Sequence, residues 1–434
     1  MNIKTTINKN ILWNILGSTV PMLVGLVSIP YILENIGIER LGFLTLIWSF
    51  IGYFTIFDFG LGRALTHQIA KLRAKQEVDH IVGIIKFGLF LMIFVGILGT
   101  LLMSLLVYIF DITWLDVSEE FYDDVHNATL LSIIIIPVVT LTVGLRGILE
   151  GFEEFKEISI LRIYLGIANF LLPAFSIYYF GPSLTFIVVW LIIARAVIVV
   201  MHVILLNKKF DLGLIFSSRI KIDSKPILHF GMWMTISNIV SPLMVVVDRF
   251  IIPSFVGAAF IAFYSIPVDF LLKFLILPAA LTTVIFPRIT HIFNKDTVQA
   301  RELFFKSLKI VFLVMAPILL FTSIISYEAL KFWLGYSFAE NSHMVVKIIS
   351  LGILFNSLAQ VPYMFIQAVG GVKKTAIIHV SEFIFYMPSL LFFVSEYGIV
   401  GAAITWLLRS LVDLLLLLSV SIKYLRSDYF VSSR

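Results

Sequence analysis

The sequence contains no cysteine among its 434 residues, which excludes a disulfide framework, a thiolate metal site and a cysteine nucleophile. Catalytic motifs are also missing, because the eight histidines form no H-E-x-x-H pair and no Walker A loop is present. Charge is scarce, at 14% of residues against roughly 25% in soluble domains. We therefore expect a protein that is not an enzyme and has no built-in ATPase.

Apolar residues dominate instead, at 60% of the chain, and the mean hydropathy is +1.02. This composition predicts an all-α polytopic membrane protein. The net charge of +5 does not indicate a nucleic-acid partner, because the basic residues are concentrated in loops on one side of the predicted membrane topology. The first apolar stretch, Ile11–Leu33, is too long for a signal-peptide core, so we expect it to remain as the first membrane helix.

Apolar runs of about 20 residues can cross the hydrocarbon core as helices. Twelve such runs occur: Ile11–Leu33, Leu41–Gly62, Ile84–Ile109, Thr129–Leu149, Ile158–Phe180, Leu184–Leu206, Ile227–Ile252, Ala259–Phe286, Ile310–Ser326, Met344–Ala368, Ala376–Ser395 and Ile399–Ile422. The ninth is the weakest prediction because it contains Pro317.

The predicted loops alternate in charge. Lysine and arginine precede the first predicted helix and follow every even-numbered one, whereas the loop after the third, DITWLDVSEEFYDD, carries acids and no base. The positive-inside rule then places both termini in the cytoplasm.

The chain also shows a weak internal repeat. A shift of 220 residues matches four pairs: Trp13 with Trp233, Gly37 with Gly257, Lys75 with Lys295, and Lys86 with Lys306. The repeat predicts two pseudo-symmetric six-helix lobes around a central cavity, with an axis along the membrane normal. We expect an N-terminal lobe at 1–206, a polar cytoplasmic linker at 207–226 and a C-terminal lobe at 227–434.

Several ionisable residues fall inside predicted membrane helices, where a charge normally faces a cavity or a partner. Six of them are the candidate translocation residues: Asp248, Arg249, Asp269, Lys273, Arg195 and Arg409. They predict the wall of a polar cavity, and the alternative is a set of structural ion pairs. Asp269 and Lys273 lie four residues apart and could neutralise each other, as could Arg409 and Asp413.

Two further clusters lie at predicted cytoplasmic helix ends. Asp58 and Arg63 flank two glycines in FDFGLGRAL and form a candidate gate, although a helix end with a snorkelling arginine is the alternative. In LRGILEGFEEFKEISILR, Arg146 and Glu150 are spaced to pair within a charged turn.

The chain resembles the Wzx-type polysaccharide flippases, within the MOP superfamily that also includes MATE drug exporters and the lipid II flippase. The resemblance covers essentially the whole length. It rests on NILWNILGSTVPMLVGLVSIPYILENIGIERLGFLTLIWSFIGYFTIFDFGLGRAL, LRGILEGFEEFKEISILR, VVVDRFIIPSFVGAAFIAFYSIP and GIVGAAITW. The two extra helices typical of the lipid II flippase are absent from the predicted set.

This resemblance implies a multi-pass protein of the bacterial inner membrane that moves undecaprenyl-pyrophosphate-linked oligosaccharide repeat units to the outer leaflet. It implies alternating access coupled to H+ or Na+, no cofactor, and a polysaccharide polymerase and chain-length regulator as further partners. By position, the family's cationic cavity falls on Asp248, Arg249, Asp269 and Lys273. Arginine suits a pyrophosphate because its guanidinium donates bidentate hydrogen bonds.

Two alternatives remain open. A MATE-like multidrug antiporter would bind cationic drugs through acidic residues, whereas the predicted membrane charges, four cations against Asp248, Asp269 and Asp413, show a slight cationic excess. A scaffold for a polysaccharide assembly complex would have no reason to keep these charges within the membrane.

Overall fold

The computed structural model describes residues 3–54, parts of 62–75, and 76–110, 117–209, 243–293 and 296–425, with side chains described from residue 19 onward except at scattered positions. The described part is helical and contains no β-strand. The helices are α1 Ile3–Phe54, α2 Val78–Phe110, α3 Tyr122–Ile133, α4 Ile135–Gly151, α5 Phe155–Phe180, α6 Leu184–Asn207, α7 243–251, α8 Ala259–Leu272, α9 Ile276–Phe293, α10 Thr297–Leu334, α11 Tyr336–Ala368 and α12 Val372–Leu425.

Nine helical segments within the described residues are long and apolar enough to cross a membrane. The longest two, α1 and α12, bend at Gly37 and Gly398, where the backbone leaves helical geometry. Each bend separates two of the predicted membrane helices. The all-α membrane fold is therefore confirmed, whereas the number twelve stays a prediction, since most of the seventh predicted helix lies outside the described residues.

The repeat has a counterpart in backbone geometry. Gly37 has φ 75° and ψ 171°, and Gly257, its match at the 220-residue shift, has φ 88° and ψ 161°. Glycine adopts a positive φ without the steric cost of a Cβ atom. The two matched turns thus have the same unusual conformation, which supports the predicted repeat.

The chain forms two compact units, Met1–Val246 and Val247–Arg434. The predicted lobe boundaries at 206 and 227 remain predictions, because residues 210–242 lie outside the described part of the chain.

At one end of the first unit, polar contacts connect the turns between helices. The backbone N–H and hydroxyl of Ser118 donate to Glu39 at 2.8 and 2.7 Å. Asp124 lies 3.5 Å from Arg40 and accepts hydrogen bonds from the start of α6, including the N–H of Leu184 at 2.8 Å. These turns, predicted to share the outer side, therefore meet at one end of the unit.

At the opposite end of the first unit, helices approach closely. A Cβ atom on Gly147 would lie 2.4 Å from the carbonyl oxygen of Gly62, so the backbones touch. The hydroxyl of Thr66 donates to the carbonyl of Gly147 at 2.8 Å, and Arg73 donates to the carbonyl of Gly151 at 2.7 Å. The close approach predicted for the glycines of FDFGLGRAL is confirmed at Gly62.

In the second unit, α11 lies between α8, α10 and α12 and is extensively buried. The hydroxyl of Ser342 donates to the carbonyl of Phe263 at 2.7 Å, which joins α11 to α8. Gly352 leaves space for the ring of Trp406, whose atoms would lie 2.7 Å from an added Cβ. Pro317 does not interrupt α10, which extends well beyond the predicted segment at both ends.

Charged residues of the candidate site lie on α7 and α8. Between α8 and α9, residues Lys273–Leu275 form a tighter 3₁₀ turn. Pro278 follows closely and has no N–H to donate to the carbonyl of Phe274, four residues earlier. The regular α-helix that carries Asp269 therefore ends at Leu272, and Lys273 begins the 3₁₀ turn.

Candidate functional site

The centre of the candidate site is an ion pair between α7 and α8. Nη1 and Nη2 of Arg249 donate to the two carboxylate oxygens of Asp269 at 3.0 and 2.5 Å, which is the bidentate arrangement. Arg249 is only 4% exposed, whereas the side chain of Asp269 is 49% exposed. The pair therefore joins a buried cation to a carboxylate on an accessible face.

Asp248 forms a second, fully buried contact set beside this pair. One of its oxygens accepts from the backbone N–H of Arg249 at 2.8 Å, and the other accepts from the hydroxyl of Tyr264 at 2.5 Å. Tyr264 was not predicted as a site residue. Its hydroxyl within an apolar helix was the sequence signal, but nothing in the spacing linked it to Asp248.

Lys273 does not pair with Asp269, so the predicted i,i+4 neutralisation is wrong. Both oxygens of Asp269 accept from the guanidinium fork of Arg249, and Lys273 lies in the 3₁₀ turn rather than in the α-helix of Asp269. Lys273 is exposed, and the described residues provide no ion-pair partner for it.

Arg195 lies in the first unit, on α6, and is 4% exposed. Its guanidinium donates to the side-chain oxygen of Asn169 at 2.9 Å and to the carbonyl of Leu191 at 3.2 Å. Within the described part of the chain, no carboxylate lies at ion-pair distance from it. Among the described residues, its charge is therefore solvated by neutral dipoles.

Arg409 and Asp413 do not form the predicted i,i+4 ion pair either. The guanidinium of Arg409 lies 5.4 Å from the ring of Trp406 and 6.0 Å from that of Tyr386, within cation–π range. Asp413 instead lies 3.6 Å from the imidazole of His379. The i,i+4 spacing alone therefore does not decide this contact, because each of the two side chains faces a partner from elsewhere in the fold.

His379 and Glu382 were missed by the sequence reasoning, although both fall in the eleventh predicted helix. Their three-residue spacing places them on one helix face, and this was the available signal. Counting Glu382, the named membrane charges are four cations and four acids, so the predicted cationic excess disappears. What remains is a difference in pairing, because Arg249 forms an ion pair, whereas Arg195, Lys273 and Arg409 have no carboxylate at ion-pair distance in the described residues.

The remaining predicted clusters lie at helix ends. Asp58 and Arg63, the candidate gate, lie outside the described residues. The predicted Arg146–Glu150 pair is confirmed, with 2.8 Å between nitrogen and oxygen.

In the same charged turn, Glu154 pairs with Lys209. The hydrogen bond from Lys209 lowers the pKa of Glu154 below its ordinary value.

Comparison with known proteins decides the family. Residues 7–293 match the model of the polysaccharide biosynthesis protein family. A Shigella flexneri protein named as an O-antigen transporter is 33% identical over 416 residues, which cover 95% of this chain and 97% of the relative. The chain belongs to the polysaccharide biosynthesis protein family. The resemblance drawn from the sequence is thereby confirmed.

Solved structures show the same fold at low identity. An inward-facing MATE-family multidrug resistance transporter of the MOP superfamily superposes with a TM-score of 0.78 at 14% identity, covering 97% of this chain and 99% of that one. The lipid II flippase MurJ, in an inward closed conformation, gives 0.71 at 16% identity, covering 96% and 89%. A MOP superfamily transporter from Pyrococcus furiosus gives 0.67 at 14% identity, covering 95% and 94%. The multi-pass transporter fold is thus shared along nearly the full length.

Proposed function

We propose that this protein is a flippase that moves undecaprenyl-pyrophosphate-linked oligosaccharide repeat units from the cytoplasmic to the outer leaflet for O-antigen, capsule or exopolysaccharide synthesis. The observation that carries the proposal is the full-length relationship to a protein named as an O-antigen transporter. Membership of the polysaccharide biosynthesis family supports the same substrate class.

The charges of the described helices suit an anionic head group. A pyrophosphate in a low-dielectric environment needs compensating cations, since an isolated ion there is very costly. Arg195 and Lys273 are cations without a carboxylate partner in the described residues, whereas the charge of Arg249 is compensated by the half-exposed Asp269. We propose Arg195 and Lys273 as substrate-facing cations at some stage of the cycle, and Arg249, Asp248 and Asp269 as the group that orders the surrounding helices.

The MATE-like antiporter is the weaker alternative. The likeness to MATE transporters is at 14% identity and supports the fold, whereas the curated relative at 33% is named for O-antigen. Transport by alternating access coupled to H+ or Na+, without a cofactor, is part of the proposal. A polysaccharide polymerase and a chain-length regulator are the proposed partners.

The function is tested in a flippase-deficient strain that makes a defined surface polysaccharide. Expression of this chain is expected to restore the surface polymer and to clear the lipid-linked repeat units that accumulate without a flippase. Drug resistance should not change. Increased drug efflux with continued accumulation of the lipid-linked glycan would favour the antiporter and contradict the flippase.

We also propose that the protein lies in the bacterial inner membrane with both termini in the cytoplasm. The absence of cysteine allows a direct test with single cysteines at two exposed positions, Glu120 and Lys208. An impermeant thiol reagent added to spheroplasts should label Glu120→Cys and leave Lys208→Cys unlabelled until the cells are opened. The opposite pattern would invert the topology.

A further inference from the structure

A second polar cluster lies in α12, on the two sides of its bend at Gly398. A ring nitrogen of His379 and carboxylate oxygens of Glu382 and Asp413 all lie within 4.8 Å of one another. The imidazole Nε2 of His379 is 3.6 Å from Asp413. The helix hairpin thus brings together two acids that are far apart in sequence.

Both acids are buried and incompletely satisfied. Glu382 is 5% exposed and Asp413 is 8% exposed. Neither oxygen of Glu382 accepts a hydrogen bond from any described residue, and the same holds for Oδ1 of Asp413. Burying a carboxylate oxygen without a donor costs several kcal/mol when the group is ionised, roughly 2–7 even for a neutral polar group. The two buried carboxylates therefore need a positive charge or a proton that no described side chain supplies by direct contact.

The groups around Glu382 and Asp413 determine the net charge of the cluster. Tyr363 of α11 stacks on His379 with ring centroids 5.5 Å apart. Arg409 lies near enough to Glu382 for an electrostatic interaction but outside ion-pair distance. With a neutral imidazole, the two carboxylates and Arg409 sum to one negative charge.

We propose that Glu382 and Asp413, assisted by His379, form a buried site that takes up one proton from water and releases it to water in each transport cycle. One proton held between the two carboxylates neutralises the cluster and supplies the missing donor. A divalent cation would leave a net positive charge beside Arg409. An imidazole nitrogen is also a poor ligand for Na+, which prefers oxygen. The proposal rests on the proposed transport function and names its coupling ion and the residues that bind it.

Tyr386 connects this site to the ion pair of α7 and α8 within the same unit. Its hydroxyl is buried and makes no hydrogen bond to any described residue. Its ring lies 6.0 Å from the guanidinium of Arg409, and Asp248 is close enough to influence its hydroxyl. Asp248 in turn accepts from Tyr264 and from the N–H of Arg249.

The protonation site is tested by infrared difference spectroscopy of the purified protein in phospholipid nanodiscs, between acid and alkaline buffers. We expect the carbonyl stretch of a protonated carboxylic acid to appear on acidification in the wild type. Glu382→Gln should remove this band. Asp413→Asn should shift the pH at which the band reaches half its height by about one unit. Glu396→Gln, an exposed acid on the same helix, should behave like the wild type. Glu382→Asp serves as the second variant where Glu382→Gln does not fold.

Three results overturn the proposal. The band could persist in both Glu382→Gln and Asp413→Asn. It could vanish when sodium chloride replaces choline chloride at constant pH, which would make Na+ the occupant. Glu382→Gln could also export polysaccharide normally in the flippase-deficient strain, which would remove the site from the cycle. A wild type that shows the band but does not restore export would instead contradict the proposed function and leave the protonation site intact.

Discussion

Two buried arginines, Arg195 and Arg249, show how differently the two units of the chain treat the same side chain. Both are 4% exposed. Arg249 is held by a bidentate carboxylate, whereas Arg195 is held by an amide oxygen and a backbone carbonyl. A charge with a carboxylate partner is compensated inside the protein. A charge solvated by neutral dipoles keeps its electrostatic attraction for an external anion.

This contrast separates two roles, substrate binding and structural ion pairing, that could not be told apart from the sequence. Arg249 and Lys273 are the cations of the predicted central cavity, and Arg195 and Arg409 hold equivalent positions, in the last predicted helix of each lobe. The structure gives Arg249 a structural pairing and leaves Arg195 and Lys273 as cations without a carboxylate partner in the described residues. Arg409 is held against aromatic rings rather than by Asn or Asp, so the two equivalent positions have unlike surroundings.

The largest expected effect is the loss of stability on removing Arg249. Arg249→Ala leaves Asp248 buried without the neighbouring charge and Asp269 without its cation. Because Asp269 is half-exposed, we expect a loss below the roughly 3–5 kcal/mol that breaking a fully buried pair costs. We expect a marked fall in the unfolding temperature of the detergent-purified protein and in its abundance in the membrane. Arg249→Lys should recover part of the loss, because lysine keeps the charge but not the fork.

Asp269→Asn is the matched control for the same pair. It removes one charge at a half-exposed position and keeps the side-chain shape, so a loss of about 1–2 kcal/mol is expected. Equal stability of Arg249→Ala and the wild type would show that the pair does not stabilise the fold. Arg249 would then again be a candidate substrate-binding residue.

Arg195 should behave in the opposite way. Arg195→Gln leaves no buried carboxylate behind, so the unfolding temperature should change little. Export should fall about tenfold or more, which corresponds to the loss of one charged hydrogen-bonding partner for the substrate. The measurement is the rate at which surface polysaccharide reappears after induction, normalised to membrane abundance.

Arg195→Lys sharpens this test. Partial activity would show that charge is sufficient, and no activity would show that the guanidinium geometry is needed. Normal export by the Arg195→Gln variant would show that Arg195 serves helix packing, as Arg249 does, and not substrate binding.

A smaller effect is expected at Lys273, because an exposed charge interacts weakly, with about 0.2–1 kcal/mol. Lys273→Ala should slow export about two- to fivefold at low salt and less at high salt, where exposed charges are screened. Stability should be unchanged. Lys331→Ala, another exposed lysine of the second unit, is the control and should export normally. A salt-independent loss at Lys273 would contradict an electrostatic role.

The sequence predicted membrane helices well because apolar length is a local property, and it predicted Arg146–Glu150 because helix geometry fixes an i,i+4 distance. It did not predict Arg249–Asp269 or His379–Asp413, which join side chains 20 and 34 residues apart across separate helical segments. Such pairs depend on how helices rotate and pack. Asp269 and Lys273 show the same limit, since a well-spaced local pair does not form where a guanidinium from another helix takes both carboxylate oxygens.

The smallest effect concerns Glu154 and Lys209, which pair outside the membrane-spanning helices and provide a simple reference for the buried pairs. The hydrogen bond from Lys209 lowers the pKa of Glu154 in the folded protein below its ordinary value of 4.5. A group with a depressed folded pKa contributes stability above its unfolded value, and this contribution is lost as the pH falls through the folded value. Lys209→Ala should therefore lower the unfolding temperature slightly at neutral pH. The difference from the wild type should shrink as the pH falls below 4.5 and vanish once it has passed the lowered folded pKa of Glu154. Lys208→Ala removes an equally exposed neighbouring charge and should show no such convergence. A difference that persists in acid would mean that Lys209 acts through packing of its aliphatic chain rather than through Glu154.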